Sequence, residues 1–199
     1  MSVAVRGAGR LRIASESRRS TLVPNAVMAM IIFVFMEVMF FAGLMSAFAI
    51  IRSRAPLWPP PGQPRLPLEE TALNTAALLL SGVLLFATRR TFQRDHRRAR
   101  TPLLAAILLG AFFVVFQGVE WVALIGEGLT LTSSNLGSFF YLIVGLHALH
   151  AVAALGVLAY TWWLLRRGWL ASSQLAAAEV FWYFVVGVWP ILYLTVYLG

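Results

Sequence analysis

The sequence has 199 residues, of which 60% are hydrophobic and 12% are charged, and it contains no Cys. Without Cys, disulfides and thiolate metal sites are excluded. The net charge is +8, and every basic residue apart from His is Arg. Most of these Arg residues lie in short segments between long apolar blocks. This pattern is typical of membrane topology and does not indicate a nucleic-acid partner. About 20 consecutive apolar residues are what a helix needs to cross a bilayer. The composition therefore predicts an all-α, polytopic membrane protein.

Five apolar blocks predict a bundle of five transmembrane helices in one domain, residues 25–199. Residues 1–24 form a basic tail without the apolar core of a cleavable signal peptide. A Pro-rich loop, residues 56–67, follows the first block, because Pro fixes φ and removes a backbone donor. An Arg-dense loop, residues 89–100, follows the second block. The predicted spans are residues 25–51, 71–87, 102–125, 137–165 and 178–199.

The distribution of Arg predicts the orientation of the bundle. The tail has five Arg, the loop between the second and third helices has six, and the loop between the fourth and fifth has two, so thirteen lie on one side. The opposite side has only Arg52, Arg54 and Arg65. The positive-inside rule therefore places the N-terminus in the cytoplasm and the C-terminus outside.

Glu37 is the clearest candidate for a functional residue within the membrane. It lies near the middle of the first predicted helix, and its helical neighbours Phe33, Phe40, Phe41 and Leu44 provide no local cation. An ionisable side chain at this depth is costly and needs a reason. One interpretation is a proton-handling, lipid-contacting or reactive carboxyl group, and the other is a neutral side chain that hydrogen-bonds a neighbouring helix.

Two further polar pairs each share one helix face at the spacing i, i+3. Gln117 and Glu120 lie on the third helix, where hydrogen bonding between helices is favoured over a proton path. His147 and His150 lie on the fourth helix near mid-membrane. Two imidazoles at this spacing suit a metal ion or a haem, but no Cys and no carboxylate on the same helix completes a ligand set. Hydrogen-bonded packing histidines are therefore favoured, and no metal site is predicted.

Other polar residues predict helix packing or helix ends. Asn74 and Ser81 share one face of the second helix, with Gly82 beside them, which is typical of a close packing surface. Glu179 lies at the predicted start of the fifth helix, where an acid stabilises the positive helix end. The Trp and Tyr residues near the predicted interfaces, Tyr197 among them, are typical of an aromatic belt.

Four segments, in order along the chain, resemble the haem–copper oxidase subunit III family in its short five-helix form. Residues 35–44 contain Glu-Val-Met-Phe-Phe, which is similar to that family's Ser-Glu-Val-Met-Phe-Phe, and residues 67–82 resemble its next helix. Residues 116–121 are similar to its Gln-x-x-Glu-Tyr element. Residues 137–150 resemble its Gly-Ser-Thr-Phe-Phe and Gly-x-His-Gly-x-His signature. The resemblance covers nearly all of residues 25–199.

The chain departs from the family pattern in two ways. The last helix of the family usually reads Trp-His-Phe-Val-Asp-Val-Val-Trp, whereas residues 182–189 here replace the His with Tyr183 and the Asp with Val186. Any polar network that depends on that pair is absent or rebuilt. The chain also lacks the first two helices of the seven-helix form, which border a phospholipid-holding cleft.

The resemblance implies a respiratory role without catalysis by this chain. It implies a non-catalytic subunit III of a proton-pumping terminal oxidase that reduces O₂ to water, located as a multi-pass protein in a bacterial-type inner (plasma) membrane. The haems and copper would be held by partner subunits, subunit I above all and subunit II. Subunit III would bind no cofactor, and would stabilise the complex, hold phospholipid and support proton uptake by subunit I.

The resemblance also implies roles for the candidate residues. Glu37 matches the family's buried carboxylate, facing subunit I or a lipid, while Gln117, Glu120, His147 and His150 belong to a polar or lipid-contact network. Two alternatives remain: the related accessory protein of nitric oxide reductase, and a small proton-coupled transporter that uses Glu37. The transporter is disfavoured because broken helices and repeat symmetry are missing from the sequence.

Overall fold

The computed structural model describes residues 24–56 and 68–197, so almost all of the predicted basic tail and Pro-rich loop lies outside the described residues. Within them, all regular secondary structure is helical. The helices are α1 (Asn25–Arg54), α2 (Leu68–Arg94), α3 (Arg100–Gly126), α4 (Asn135–Arg167) and α5 (Ser172–Leu192), which continues as a π-helical turn, Tyr193–Tyr197. All five helices are long and apolar enough to cross a membrane, which confirms the predicted all-α fold with five candidate spans.

All five helices extend beyond a predicted end, and the extensions of α2 and α5 are the longest. The predicted Arg-dense loop is wrong for residues 89–94, which continue α2, because Arg is a good helix former and its aliphatic stem packs along apolar surface. The Arg90 guanidinium, for example, lies 4.5 Å from the ring of Phe86. Helix α5 begins at Ser172 instead of residue 178, since the Gln174 side chain accepts a hydrogen bond from the Ala171 N–H (3.0 Å) and caps the earlier start.

The five helices bury very different shares of their surfaces. Helix α2 packs mainly on α3, and α1 packs mainly on α5, which also contacts α4 and α2. Helix α5 therefore lies at the centre of the bundle and has eleven buried residues. Helix α1 has only two, Phe41 and Phe48, and most of its large apolar side chains are exposed. It is the peripheral helix of the bundle.

Buried polar side chains connect α2, α3 and α5. Asn74 Nδ2 donates to the carbonyl oxygen of Phe113 (3.2 Å), and Ser81 Oγ donates to that of Ala106 (2.8 Å). The indole Nε1 of Trp182 donates in turn to Ser81 Oγ (3.0 Å). These bonds satisfy polar groups that would otherwise be left unpaired in an apolar environment. They fix the register of the three helices.

Small residues let the same helices approach closely. A Cβ atom added at Gly110 of α3 would lie 2.5 Å from the Trp182 ring, so only Gly fits there. A Cβ added at Gly82 of α2 would lie 3.2 Å from Val186 Cγ1. Val186 stands where the resembling family usually has Asp, so an apolar contact with α2 occupies this position.

Candidate functional site

Glu37 of α1 faces a histidine on α4. Its Oε2 atom lies 3.2 Å from Nε2 of His150, with 22% of the Glu37 side chain and 13% of the His150 side chain exposed. The other ring nitrogen of His150, Nδ1, lies 2.7 Å from the carbonyl oxygen of Leu146 in the preceding turn of α4. The carboxyl group, which has no cation among its neighbours on α1, thus has an imidazole partner on another helix.

Aromatic rings surround the carboxyl–imidazole pair. Four Phe rings contact the His150 ring, at centroid distances of 5.6 Å for Phe41, 5.8 Å for Phe184, 6.4 Å for Phe181 and 6.5 Å for Phe33. They come from α1 and α5, the two helices that pack on each other. These rings are apolar and offer no competing hydrogen bonds, so the contact between Glu37 and His150 lies in a mostly apolar environment, where polar interactions are stronger than in water.

His147 is close to His150 in sequence but has different surroundings. It is 1% exposed, its ring stacks on Trp189 at 5.1 Å, and Phe41 and Phe113 approach its edge at 6.3 and 6.4 Å. Neither ring nitrogen has a hydrogen-bond partner within the described part of the chain. No group of three or more His, Asp or Glu residues there is arranged to hold a metal ion.

Gln117 and Glu120 belong to a second polar cluster, which joins α2, α3 and the end of the chain. Gln117 Nε2 donates to Glu120 Oε2 (2.8 Å) and to the hydroxyl oxygen of Tyr197 (3.1 Å). The Thr71 hydroxyl donates to the Glu120 carboxylate at 3.2 and 3.3 Å. The placement of Tyr197 in an aromatic belt is wrong, because its ring is buried, 7% exposed, against the bundle core.

A cavity of about 150 Å³ lies between α3 and α4, on the side of His147 that faces the second cluster. Gln117, Trp121 and His147 are among the residues that line it. Gln117 Oε1, Trp121 Nε1 and both His147 nitrogens are buried without a hydrogen-bond partner among residues 24–56 and 68–197. The lining of the cavity is mostly apolar, so these few atoms are the groups to which a water molecule in it would bond.

Glu179 does not cap α5. The helix begins seven residues earlier, at Ser172, so Glu179 lies inside the helix with its side chain only 5% exposed. Its Oε2 atom accepts a hydrogen bond from Arg89 Nη1 of α2 at 2.6 Å. The acid thus pairs with an Arg that continues α2, and the capping prediction is wrong because both helix ends were misplaced.

Tyr183, which stands where the family usually has His, lies on the same helix as Glu179. Its side chain is 38% exposed and faces out of the bundle. Where the resembling family has a His and an Asp, this chain thus has an outward-facing phenol and an apolar contact with α2. The polar groups of α5 that take part in buried pairs are instead Glu179, Trp182 and Trp189, whose Nε1 donates to Thr75 Oγ1 at 2.8 Å.

The fold and these clusters define a multi-pass membrane protein that holds ionisable side chains between its helices. A profile of the family described as cytochrome c oxidase subunit III matches residues 17–199. The chain belongs to this family and is a subunit III of a haem–copper oxidase, the complex that reduces O₂. Membership of this family is consistent with a chain that holds no cofactor of its own.

Individual relatives agree with the family match. A protein of Nocardia farcinica named probable cytochrome c oxidase subunit 3 is 34% identical over 189 residues, which cover 87% of this chain and 88% of the relative. Cytochrome c oxidase subunit 3 of Dasypus novemcinctus is 32% identical, over 92% of this chain and 73% of the relative. That of Oryctolagus cuniculus is 35% identical, over 84% and 67%. Neither the nitric oxide reductase protein nor the transporter is favoured by these matches.

Proposed function

We propose that this chain supports the oxidase without taking part in its redox chemistry: it packs against subunit I, contacts subunit II and other subunits, holds phospholipid, and assists proton uptake by subunit I. The observation that carries this proposal is the contact between Glu37 and His150 on the weakly covered side of the bundle. The haems and copper of the complex would lie in the partner subunits. The proton translocation of the complex would likewise belong to subunit I.

The contact joins two side chains that can each carry a proton. A carbonyl oxygen can only accept a hydrogen bond, so the 2.7 Å contact with the Leu146 carbonyl oxygen favours a proton on His150 Nδ1. The other nitrogen, Nε2, faces Glu37 Oε2 at 3.2 Å. The proposed role is that a proton passes between these two atoms during proton uptake.

The position of the pair supports a role beside a partner subunit. Helix α1 buries only two of its residues in this chain, and Phe35, Met36 and Met39 next to Glu37 are more than 60% exposed. A carboxyl group with 22% of its surface exposed at this depth would be shielded further by a subunit I helix or a bound lipid. Such cover would increase the cost of charging the pair from outside.

The proposed orientation follows from charge. The residues at the α2–α3 and α4–α5 connections are rich in Arg, whereas the α3–α4 connection has Glu127 and no Arg. On the positive-inside rule, the Arg-rich end faces the cytoplasm, the N-terminus is cytoplasmic and the C-terminus lies outside. The membrane would then be a bacterial-type inner membrane.

The test replaces Glu37 with Gln in the whole complex, which is purified through a tag on this chain. Glu37→Gln keeps the shape and the hydrogen-bonding ability of the side chain but removes its titration. We expect normal subunit content by mass spectrometry, a normal reduced-minus-oxidised haem spectrum, and O₂ consumption reduced mildly, by less than about threefold, a change of under 1 kcal/mol in barrier.

The matched control is Glu127→Gln, which removes a carboxylate from the exposed α3–α4 connection. It should leave O₂ consumption unchanged. Complete loss of O₂ reduction in Glu37→Gln, with normal assembly and metal content, would contradict a non-catalytic role for this chain. A tagged chain that purifies without haem and without a large partner would contradict the proposed partners.

A further inference from the structure

We propose that the cavity between α3 and α4 binds a small neutral molecule that consists of one apolar ring with a hydroxyl group at its edge. The inference concerns a different place from the Glu37–His150 contact and does not depend on the proposed function. It assigns a class of ligand to the unpaired polar atoms of Gln117, Trp121 and His147.

The apolar part of the cavity has the size of one aromatic ring. Its volume is about 150 Å³, and apolar protein cavities of this size bind molecules as large as benzene. Phe113, Val144 and Trp189 line it, and the rings of Phe113 and Trp189 lie edge to face at 4.8 Å. Aromatic side chains pack favourably against a further ring. Water finds few partners in so apolar a space, whereas a ring fills it.

Three polar side chains border the same space. Gln117 is 3% exposed and His147 is 1% exposed, and Trp121 is half-buried. Gln117 Oε1, Trp121 Nε1 and both ring nitrogens of His147 have no hydrogen-bond partner within the residues that the structure describes. A buried polar atom without a partner costs free energy. A ligand that pairs with these atoms therefore gains affinity from them.

The unpaired atoms suit a hydroxyl group. Gln117 Nε2 donates to Glu120 Oε2 (2.8 Å) and to the Tyr197 hydroxyl oxygen (3.1 Å), so its Oε1 remains as an acceptor. Trp121 Nε1 can only donate, and a neutral His147 ring has one donor and one acceptor nitrogen. A hydroxyl group donates and accepts at once. A carbonyl or ether oxygen can only accept and would leave Gln117 Oε1 unpaired.

The ligand is neutral and reaches the cavity from the bilayer. None of the lining residues in the described part of the chain has a carboxylate or a guanidinium group, so a charged ligand would be buried without a partner, which is costly. Gly118 of α3 is exposed, and a Cβ atom added there would meet nothing within 4 Å. Ala148 of α4 also lines the cavity and is half-buried. These two small residues give a ring-sized molecule dissolved in the membrane a way in.

The test measures the binding of 4-fluorophenol to the purified oxidase complex by fluorine NMR, from the broadening of the ligand signal. Fluorobenzene has the same ring without the hydroxyl group and is the comparison probe, and detergent without protein gives the background. Ala148→Leu fills the cavity. Its matched control is Ala153→Leu, because Ala153 is exposed on the same helix outside the cavity. His147→Phe keeps an aromatic ring against Trp189 and removes both nitrogens.

We expect saturable binding of 4-fluorophenol to the unmodified complex, about five- to tenfold tighter than that of fluorobenzene, which is the ratio that one net hydrogen bond provides. Ala148→Leu should weaken the binding of both probes by about tenfold or more, because the added atoms occupy the space of the ring. Ala153→Leu should leave both affinities unchanged. His147→Phe should reduce the preference for 4-fluorophenol by about threefold.

Three results would overturn the proposal. Equal affinities of the two probes for the unmodified complex would contradict pairing with a hydroxyl group. Equal binding by Ala148→Leu and Ala153→Leu would place the bound probe outside this cavity, and an unchanged preference in His147→Phe would exclude His147 as its partner. If Ala148→Leu does not assemble, the unmodified complex and His147→Phe still decide through the ratio of the two affinities.

Discussion

Gly110 of α3 faces the indole ring of Trp182, and the space between them has no room for a methyl group. A Cβ atom at this position would lie 2.5 and 2.6 Å from Cη2 and Cζ2 of Trp182 and 2.9 Å from Cδ2 of Leu155. Trp182 is fully buried, and its Nε1 is hydrogen-bonded to Ser81. The ring cannot move aside without losing that bond.

The expected effect of Gly110→Ala follows from two opposing terms. Overpacking a tight core costs about 1–3 kcal/mol, and three contacts under 3.0 Å favour the upper part of that range. Replacing Gly with Ala inside a helix stabilises the helix by about 1 kcal/mol. The net destabilisation is therefore about 1–2 kcal/mol, which for a chain of this size lowers Tm by about 2–8 °C.

The assay is the temperature at which the chain unfolds in the detergent-purified complex, followed by Trp fluorescence at constant lipid content. Gly118→Ala is the matched control on the same helix, since a Cβ there meets nothing within 4 Å. It should leave Tm unchanged or slightly higher. The loss of stability in the double variant Gly110→Ala/Trp182→Phe should be smaller than the sum of the two single losses, because the smaller Phe ring leaves room for the added methyl group. Equal Tm values for the two Gly→Ala variants would refute the reasoning.

Two further stability predictions use the same assay. Arg89→Met leaves the Glu179 carboxylate buried without a cation and should lower the free energy of unfolding by about 2 kcal/mol. This is less than the 3–5 kcal/mol of a fully buried pair, because Arg89 is partly exposed. Adding Glu179→Gln should recover most of the loss, and a double variant as unstable as Arg89→Met would contradict the ion pair. Tyr197→Phe removes the hydroxyl that accepts a hydrogen bond from Gln117 and should lower the free energy of unfolding by about 1 kcal/mol. The control Tyr160→Phe, at an exposed position, should change it very little. Equal losses of stability in the two variants would show that the buried hydrogen bond contributes little.

The number and type of the helices could be predicted from the sequence because membrane spans are long and apolar. What the sequence does not reveal is how each helix is rotated in the bundle. Lipid tails and protein cores are equally apolar, so the residues of α1 show no inner and outer face. The contact between Glu37 and His150 depends on that rotation, which is why their spacing along the chain did not predict it.

The helix ends were missed for a different reason. The charges of Arg89, Arg90 and Arg94 taken alone favour a loop, although Arg is a good helix former and its aliphatic stem packs on apolar surface. Because α2 continues to Arg94 and α5 begins at Ser172, Arg89 lies next to Glu179 and Glu179 cannot cap α5. Tyr197 was misplaced because interfacial Tyr is common. The sequence did hold one indication that Tyr197 is buried: the polar atoms of Gln117 and Glu120 on α3 require hydrogen-bond partners from another helix.

The central position of α5 has a consequence for biosynthesis. Helix α1 is synthesised before α5, on which it mainly packs. Until α4 and α5 follow, α1 therefore lacks both His150, the partner of Glu37, and most of its contacts within the bundle. An insertion factor or a partner subunit that covers α1 during this interval would raise the yield of assembled complex.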